Sequence, residues 1–317
     1  MLSRVADSLY WMARYLERAE HTARLVAVKL ESMVEQTKED ADASWARVVA
    51  ALSGEKFEPG TADATAIAQS LLLDRLNASS LITSLRLARD NARQVREQLS
   101  NEVWENLNRL YLRLQLETVD DGGRDQPARL PRDVLESLYT LGGVSYSTLH
   151  HGEGWHFLEL GRYIERAQLV SRLLDIHFGA PVPGYAPPPP PKYLDWLVLL
   201  KFCTAFEPYC KEYTPAIRPD RIAQFLLFDA EFPHSVRFSV DRVQEALDHV
   251  APGAPAARRA ACERLAGRLK AAIDYGQIED LAGGAFDAFL ADVSQQCEQV
   301  HDAIYAAYIA YDAGAVL

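Results

Sequence analysis

A glutamate held between arginines occurs twice in this sequence, in RYLERA at 14–19 and RYIERA at 162–167. Around the first copy, Tyr10, Arg14, Glu17, His21 and Arg24 recur at steps of three and four, with Arg18 adjoining, so one helix face carries them. The second copy puts Leu158, Arg162, Glu165, Leu169, Arg172 and Ile176 on the equivalent face, with Arg166 beside Glu165. Three chemistries suit such a set. The carboxylates and guanidiniums can form buried ion networks, because charges taken out of water must be paired. The arginines can instead hold a carboxylate or phosphate of a ligand through forked hydrogen bonds. Or Glu17 and Glu165 can act as catalytic acid or base beside arginines that fix a substrate anion. Read alone, the first stripe also suits a solvated helix face. Large apolar residues among the charges of the second stripe argue instead for central helices surrounded by others.

Other polar groups carry weaker signals. Asn91 is a poor helix-interior residue, so a specific hydrogen bond is expected of it, while Arg89, Arg93 and Arg96 alternate with Asp90 and Glu97 as on an exposed helix. Glu17, Glu20 and His21 resemble part of a di-iron carboxylate set, but the Glu-to-His spacing is four rather than three. Gln168 and Leu169 stand where the second copy would need ligands, so neither a metal nor another cofactor is expected. His150, His151, Glu153 and His156 read as the approach to the second motif helix. Cysteines 203, 210, 262 and 297 lack zinc-knuckle or redox-dithiol spacing and read as buried thiols of a reducing compartment. Cys203 and Cys210 are expected on one helix face.

The elements that must position these groups read as helices. Leu9, Met12, Leu16, Ala19, Ala23, Val26 and Leu30 form one apolar stripe, and a second pattern runs without Pro or Gly from Leu81 to Glu117. Shorter helical stretches fall at 44–53 and 62–73. The chain has 317 residues and a formal charge of −11, which argues against nucleic acid and anionic membranes as partners. The opening residues lack the apolar core of a signal peptide, and WLVLLKF at 196–202 is too short to span a bilayer, so a cytoplasmic protein is expected.

Internal similarity organises the rest. Besides the RY-ERA blocks, IAQSLLLD at 67–74 matches IAQFLLFD at 222–229, Trp45 and Trp196 lie between the blocks, and Ser80 and Ser84 correspond to Ser235 and Ser239. The expected architecture is all-α, a helical bundle of two tandem pseudo-symmetric units. The first unit is expected at 1–118, a connection at 119–143 and the second unit at 144–317, with a proline-rich strap at 180–191.

The opening LSRVADSLYWMARYLERAEHTARL, followed by ARDNARQVREQLSNEVWENLN, resembles the bacterial alpha-E family, a helical domain named for its Glu-Arg motif. The resemblance runs over nearly the whole chain and assigns the motif to Glu17–Arg18 and Glu165–Arg166. It implies partners: a circularly permuted ATP-grasp ligase and a transglutaminase-like cysteine protease, sometimes with a proteasome-like peptidase nearby. The function so implied is that of an accessory protein of ATP-grasp-dependent peptide or amide-bond ligation. Such a protein would bind the ligase, or an anionic amino-acid or peptide ligand, through its arginine–glutamate clusters. An enzyme of the same pathway using Glu17 or Glu165, and a purely architectural protein, stay open beside it.

Overall fold

Thirteen α-helices and no strand make up the described residues of the computed structural model, which are 1–33, 37–53, 63–117, 129–179, 191–250, 256–278 and 285–309. In chain order they are α1 Ser3–Ser32, α2 Lys38–Ser53, α3 Ala64–Leu73, α4 Leu81–Gln94, α5 Asn101–Glu117, α6 Arg129–Thr148 and α7 Glu153–Phe178. They continue with α8 Tyr193–Phe202, α9 Phe206–Tyr213, α10 Pro219–Phe228, α11 Val236–His249, α12 Ala256–Asp274 and α13 Ala285–Ile304, followed by a π-helical segment Tyr305–Ile309. No helix among them is long and apolar enough to cross a membrane.

Helices α1 and α7 are the axis of the fold. They pack most extensively on each other, then α1 on α4 and α7 on α11. Both faces of α1 are buried: the apolar stripe with Leu9, Met12, Ala19, Ala23 and Val26, and the opposite stripe of Tyr10, Arg14, Glu17, His21 and Arg24. The second stripe is therefore no solvated face. One residue sets how closely the two helices approach: a Cβ on Gly161 would lie 2.2 Å from the Tyr10 carbonyl oxygen and 3.2 Å from the Ala13 Cβ. Only a residue without a side chain fits there.

Two helical hairpins flank this pair and are built by the same local chemistry. Helices α3 and α10 each have 10 residues and end at an aspartate, Asp74 and Asp229; α4 and α11 each have 14. Ser80 caps α4 by accepting from the Thr83 N–H and donates to the Asp74 carbonyl at 2.6 Å. Ser235 caps α11 by accepting from the Phe238 N–H and donates to the Asp229 carbonyl at 2.5 Å. Each hydroxyl thus satisfies an orphan helix donor and a turn carbonyl together.

Several boundaries differ from the sequence expectation. The pattern from Leu81 to Glu117 is two helices, because Val95 (φ −124°) leaves helical geometry and a 3-10 turn at Arg96–Gln98 follows. Ser100 then accepts from the Val103 N–H and starts α5, while Val95 and Leu99 turn into the core. The connection expected at 119–143 is helical from Arg129 on. Pro131 sits in the first turn of α6, where its missing N–H removes no hydrogen bond. Residues 119–128 of that connection, and the strap at 180–191 except its last residue, lie outside the described residues. Cys203 and Cys210 do not share a helix: Thr204, with φ of 53°, ends α8 after Cys203, and Cys210 belongs to α9 and is only partly buried.

Gly161→Ala drives a methyl group into the α1 backbone and is expected to destabilise the chain by about 1–3 kcal/mol, the usual range for overpacking. Chemical denaturation of the variant checks this, and an unchanged midpoint contradicts so close a crossing.

Candidate functional site

The two Glu-Arg motifs meet each other across the α1–α7 contact. Glu17 of α1 receives a forked pair from Arg166 of α7, Nε to Oε1 at 2.6 Å and Nη2 to Oε2 at 2.7 Å. Glu165 of α7 accepts from two guanidiniums of α1, Arg18 Nε at 2.7 Å and Arg14 Nε at 2.6 Å. Each motif's glutamate is thus held by the other motif's arginine. Arg14 also donates to Gln168 at 2.8 Å, and its guanidinium lies 4.9 Å from the Trp11 ring centre.

Burial decides the electrostatics. Loss of water alone would push the Glu165 carboxyl up, yet attraction to Arg14 and Arg18 and their hydrogen bonds outweigh it and hold Glu165 below its ordinary range. Burial likewise works against the charge of Arg166, and Glu17 beside it outweighs that and holds the proton more tightly. Both are ion pairs with buried carboxylates, so each contributes geometry more surely than net stability.

Where the two motifs differ in sequence, the arginines diverge. Arg14 has Trp11 three residues before it, and Arg162 has Glu159, to which it donates at 3.2 Å along its own helix. Arg162 is partly exposed and takes no part in the exchange. Arg24 donates to Glu20 at 2.7 Å and to the Nε2 of His234, in the turn before α11, at 3.2 Å. Arg172, facing Gln168 rather than a carboxylate one turn back, reaches the Ala51 carbonyl at 3.4 Å. Of the residues singled out in the sequence, Arg14, Glu17, Arg18, Glu165 and Arg166 form one cluster, and His21 and Arg24 adjoin it.

Asn91 is not part of it. Its amide donates to the Leu87 carbonyl one turn back, the usual recourse of a short polar side chain inside a helix. Arg89 is not a free surface charge either: it donates to Asn108 of α5 at 2.7 Å and lies over the Trp104 and Tyr111 rings. Sequence reasoning missed His234 and His301. The Tyr10 hydroxyl is 2.7 Å from Nδ1 of His301, whose ring stacks on Tyr10 and ties α13 to α1. Neither histidine belongs to a motif or a periodic stripe, so nothing in the sequence marked them. Among the described residues no three His, Cys, Asp or Glu side chains converge as metal ligands.

Further along the two helices, the Lys29 ammonium lies 5.9 Å from the Trp45 ring centre, and the His177 ring lies 6.3 Å from that of Trp196. His177 is buried, and loss of water lowers its pKa from 6.5 to about 4. His21 and His234 are also held well below the ordinary histidine range, by burial first and by neighbouring arginines next.

Fold and site together define an all-helical protein whose two longest helices exchange buried glutamate–arginine pairs. The Alpha-E family, described as a predicted alpha-helical domain with a conserved ER motif, matches residues 1–309, and the chain belongs to it. Glu17–Arg18 and Glu165–Arg166 are the ER pairs that meet at the α1–α7 contact. An uncharacterised protein of Mycobacterium bovis is 26% identical over 324 residues, and one of Mycobacterium tuberculosis is 25% identical over the same length. Each alignment covers 94% of this chain and 35% of the relative, so the chain spans about a third of the length of the curated relatives it matches. No solved structure matches.

Removing one partner of the forked pair strands the other charge. Glu17→Leu and Arg166→Leu are each expected to lower stability by about 3–5 kcal/mol, while the double variant recovers much of the loss because no charge is left alone. A double-mutant cycle in urea reads this coupling directly, and additive single effects are incompatible with it.

Acid should weaken the fold over a defined window. An unfolded histidine takes a proton near pH 6.5, whereas His177 stays neutral to about pH 4, so the unfolded chain binds more protons between these values. Stability is therefore lost as pH falls from about 6.5 to about 4, with His177 contributing on the order of 3 kcal/mol. Melting curves across that range check it: His177→Gln should flatten the slope, and a slope unchanged in the variant rules out this assignment.

Proposed function

We propose that this chain is a non-catalytic helical module of an ATP-grasp-dependent peptide or amide-bond ligation system, acting by binding the ligase or its peptide substrate. The observation that carries this reading is the length relation. A stretch equivalent to nearly all of this chain makes up about a third of the mycobacterial relatives. In those proteins it works as one part of a larger polypeptide, and the same association in trans suits this chain. The alpha-E resemblance supplies the ligase as the partner class, and a transglutaminase-like protease as a second.

The geometry of the motif supports a module over an enzyme. Glu17 and Glu165 each spend both carboxylate oxygens on guanidiniums of the facing helix. A carboxylate kept charged by two arginines is a poor proton donor or acceptor near neutral pH, which weakens the reading of Glu165 as acid or base. The paired hairpins add an inference about origin: α1, α3 and α4 correspond to α7, α10 and α11 as two copies of one unit, facing each other across the Glu-Arg exchange. The matched helix lengths and the Ser80 and Ser235 caps support it.

Affinity isolation of the tagged full chain from its native cells tests the functional reading. Near-stoichiometric recovery of an ATP-grasp ligase is the expected outcome. Recovery of the chain alone, with ligation products unchanged after its deletion, rejects the proposal.

A further inference from the structure

Beside the Glu-Arg exchange lies a second polar cluster whose hydrogen bonds do not close. It gathers Glu20, His21 and Arg24 of α1, Arg166 and Arg172 of α7 and His234 of the turn before α11, with Tyr139 of α6 at its edge. Arg24 gives one nitrogen to Glu20 and another to His234, yet its Nε is buried with no partner among the described residues. The Nε2 of His21, a side chain 5% exposed, is buried and equally without one. Arg24 Nε is a donor in every state, and His21 Nε2 is one in the tautomer that carries the ring proton there.

Charge points the same way. With Arg166 already matched by Glu17 in the docking pair, Glu20 is left against the guanidiniums of Arg24 and Arg172 around His21, one positive charge in excess while both histidines are neutral. Buried donors in surplus call for an acceptor, and excess positive charge calls for a negative one. A cation would meet three guanidiniums. The cluster also lies just below the surface: Arg166 donates to the carbonyl of exposed Pro233, His234 is only partly buried, and Tyr139 is half exposed.

We propose that Arg24 Nε and His21 Nε2 form a binding site for a small oxyanion, a phosphate or a carboxylate, reached between Tyr139 and the Pro233–His234 turn. The site is separate from the helix-docking pairs and independent of the ligase reading. The second motif copy lacks it, since Leu169 stands where His21 does and Arg172 has no carboxylate one turn back.

Calorimetric titration of the full chain with inorganic phosphate, and separately with acetate, at low ionic strength tests the proposal. One of the two is expected to bind saturably at one site per chain; tighter phosphate binding assigns a phosphorylated ligand, tighter acetate binding a carboxylate ligand. His21→Leu, which installs the residue found in the second copy, should weaken binding by about tenfold or more, the loss of one charge-assisted hydrogen bond. Saturable binding of neither anion, or equal affinity in the variant, overturns it. Should the variant fold poorly, 15N spectra of wild-type histidine rings decide: the anion should shift the His21 Nε2 resonance and leave buried His177 unmoved. No shift at His21, or equal shifts at both, overturns the proposal.

Discussion

The exchange of charges between α1 and α7 is the constraint on which the rest of the structure depends. A carboxylate and a guanidinium that leave water together must meet in good geometry, because either alone would cost several kcal/mol. Here two such meetings are made between the same two helices, Glu17 with Arg166 and Glu165 with Arg14 and Arg18. A slip of α7 along α1 by one turn would break both at once. Register is thus fixed by charge, and separation is fixed by Gly161, where α7 meets the Tyr10 carbonyl. With that axis set, α4 and α11 find their places against α1 and α7 by ordinary apolar burial.

The same motif does different work in its two copies, and the differences trace to single neighbours. Arg14 is free to cross to Glu165 because the residue three before it is Trp11, which offers a ring and no competing carboxylate. Arg162 has Glu159 at that distance and stays on its own helix. One turn after the glutamates, His21 faces the arginines on α1, whereas α7 has Leu169. Copies that pair reciprocally in their Glu-Arg core can thereby differ at their edges, and it is at an edge that donors outnumber acceptors.

Much of this was legible in sequence, for definable reasons. Helical period located α1 and α7, since both carry apolar residues at steps of three and four over many turns. The mixture of large apolar residues and charges around Glu165 pointed to buried, paired arginines. The all-helical class and the Alpha-E family were likewise readable. What stayed hidden was local competition. Nothing in the periodicity from Leu81 to Glu117 announces that the Ser100 hydroxyl will claim a backbone N–H and restart the helix. Asn91 looked specific by type, but its amide settled on the nearest carbonyl of its own helix. His234 and His301 reach the site from turns and helices distant in sequence, and only folding brings them there.

Buried bridges of this kind are a poor way to gain stability, since apolar residues of similar volume often serve a core as well or better. Their advantage lies in discrimination among packings. An apolar α1–α7 seam would accept several rotations and offsets at similar energy, whereas a seam with five charges accepts one. That distinction matters for a helix such as α1, which is buried on both faces and has no solvent side to orient it. Amphipathic surface helices such as α4 take their rotation from the boundary between core and water. For α1 that boundary is missing, and the Glu-Arg pairs supply the orientation in its place.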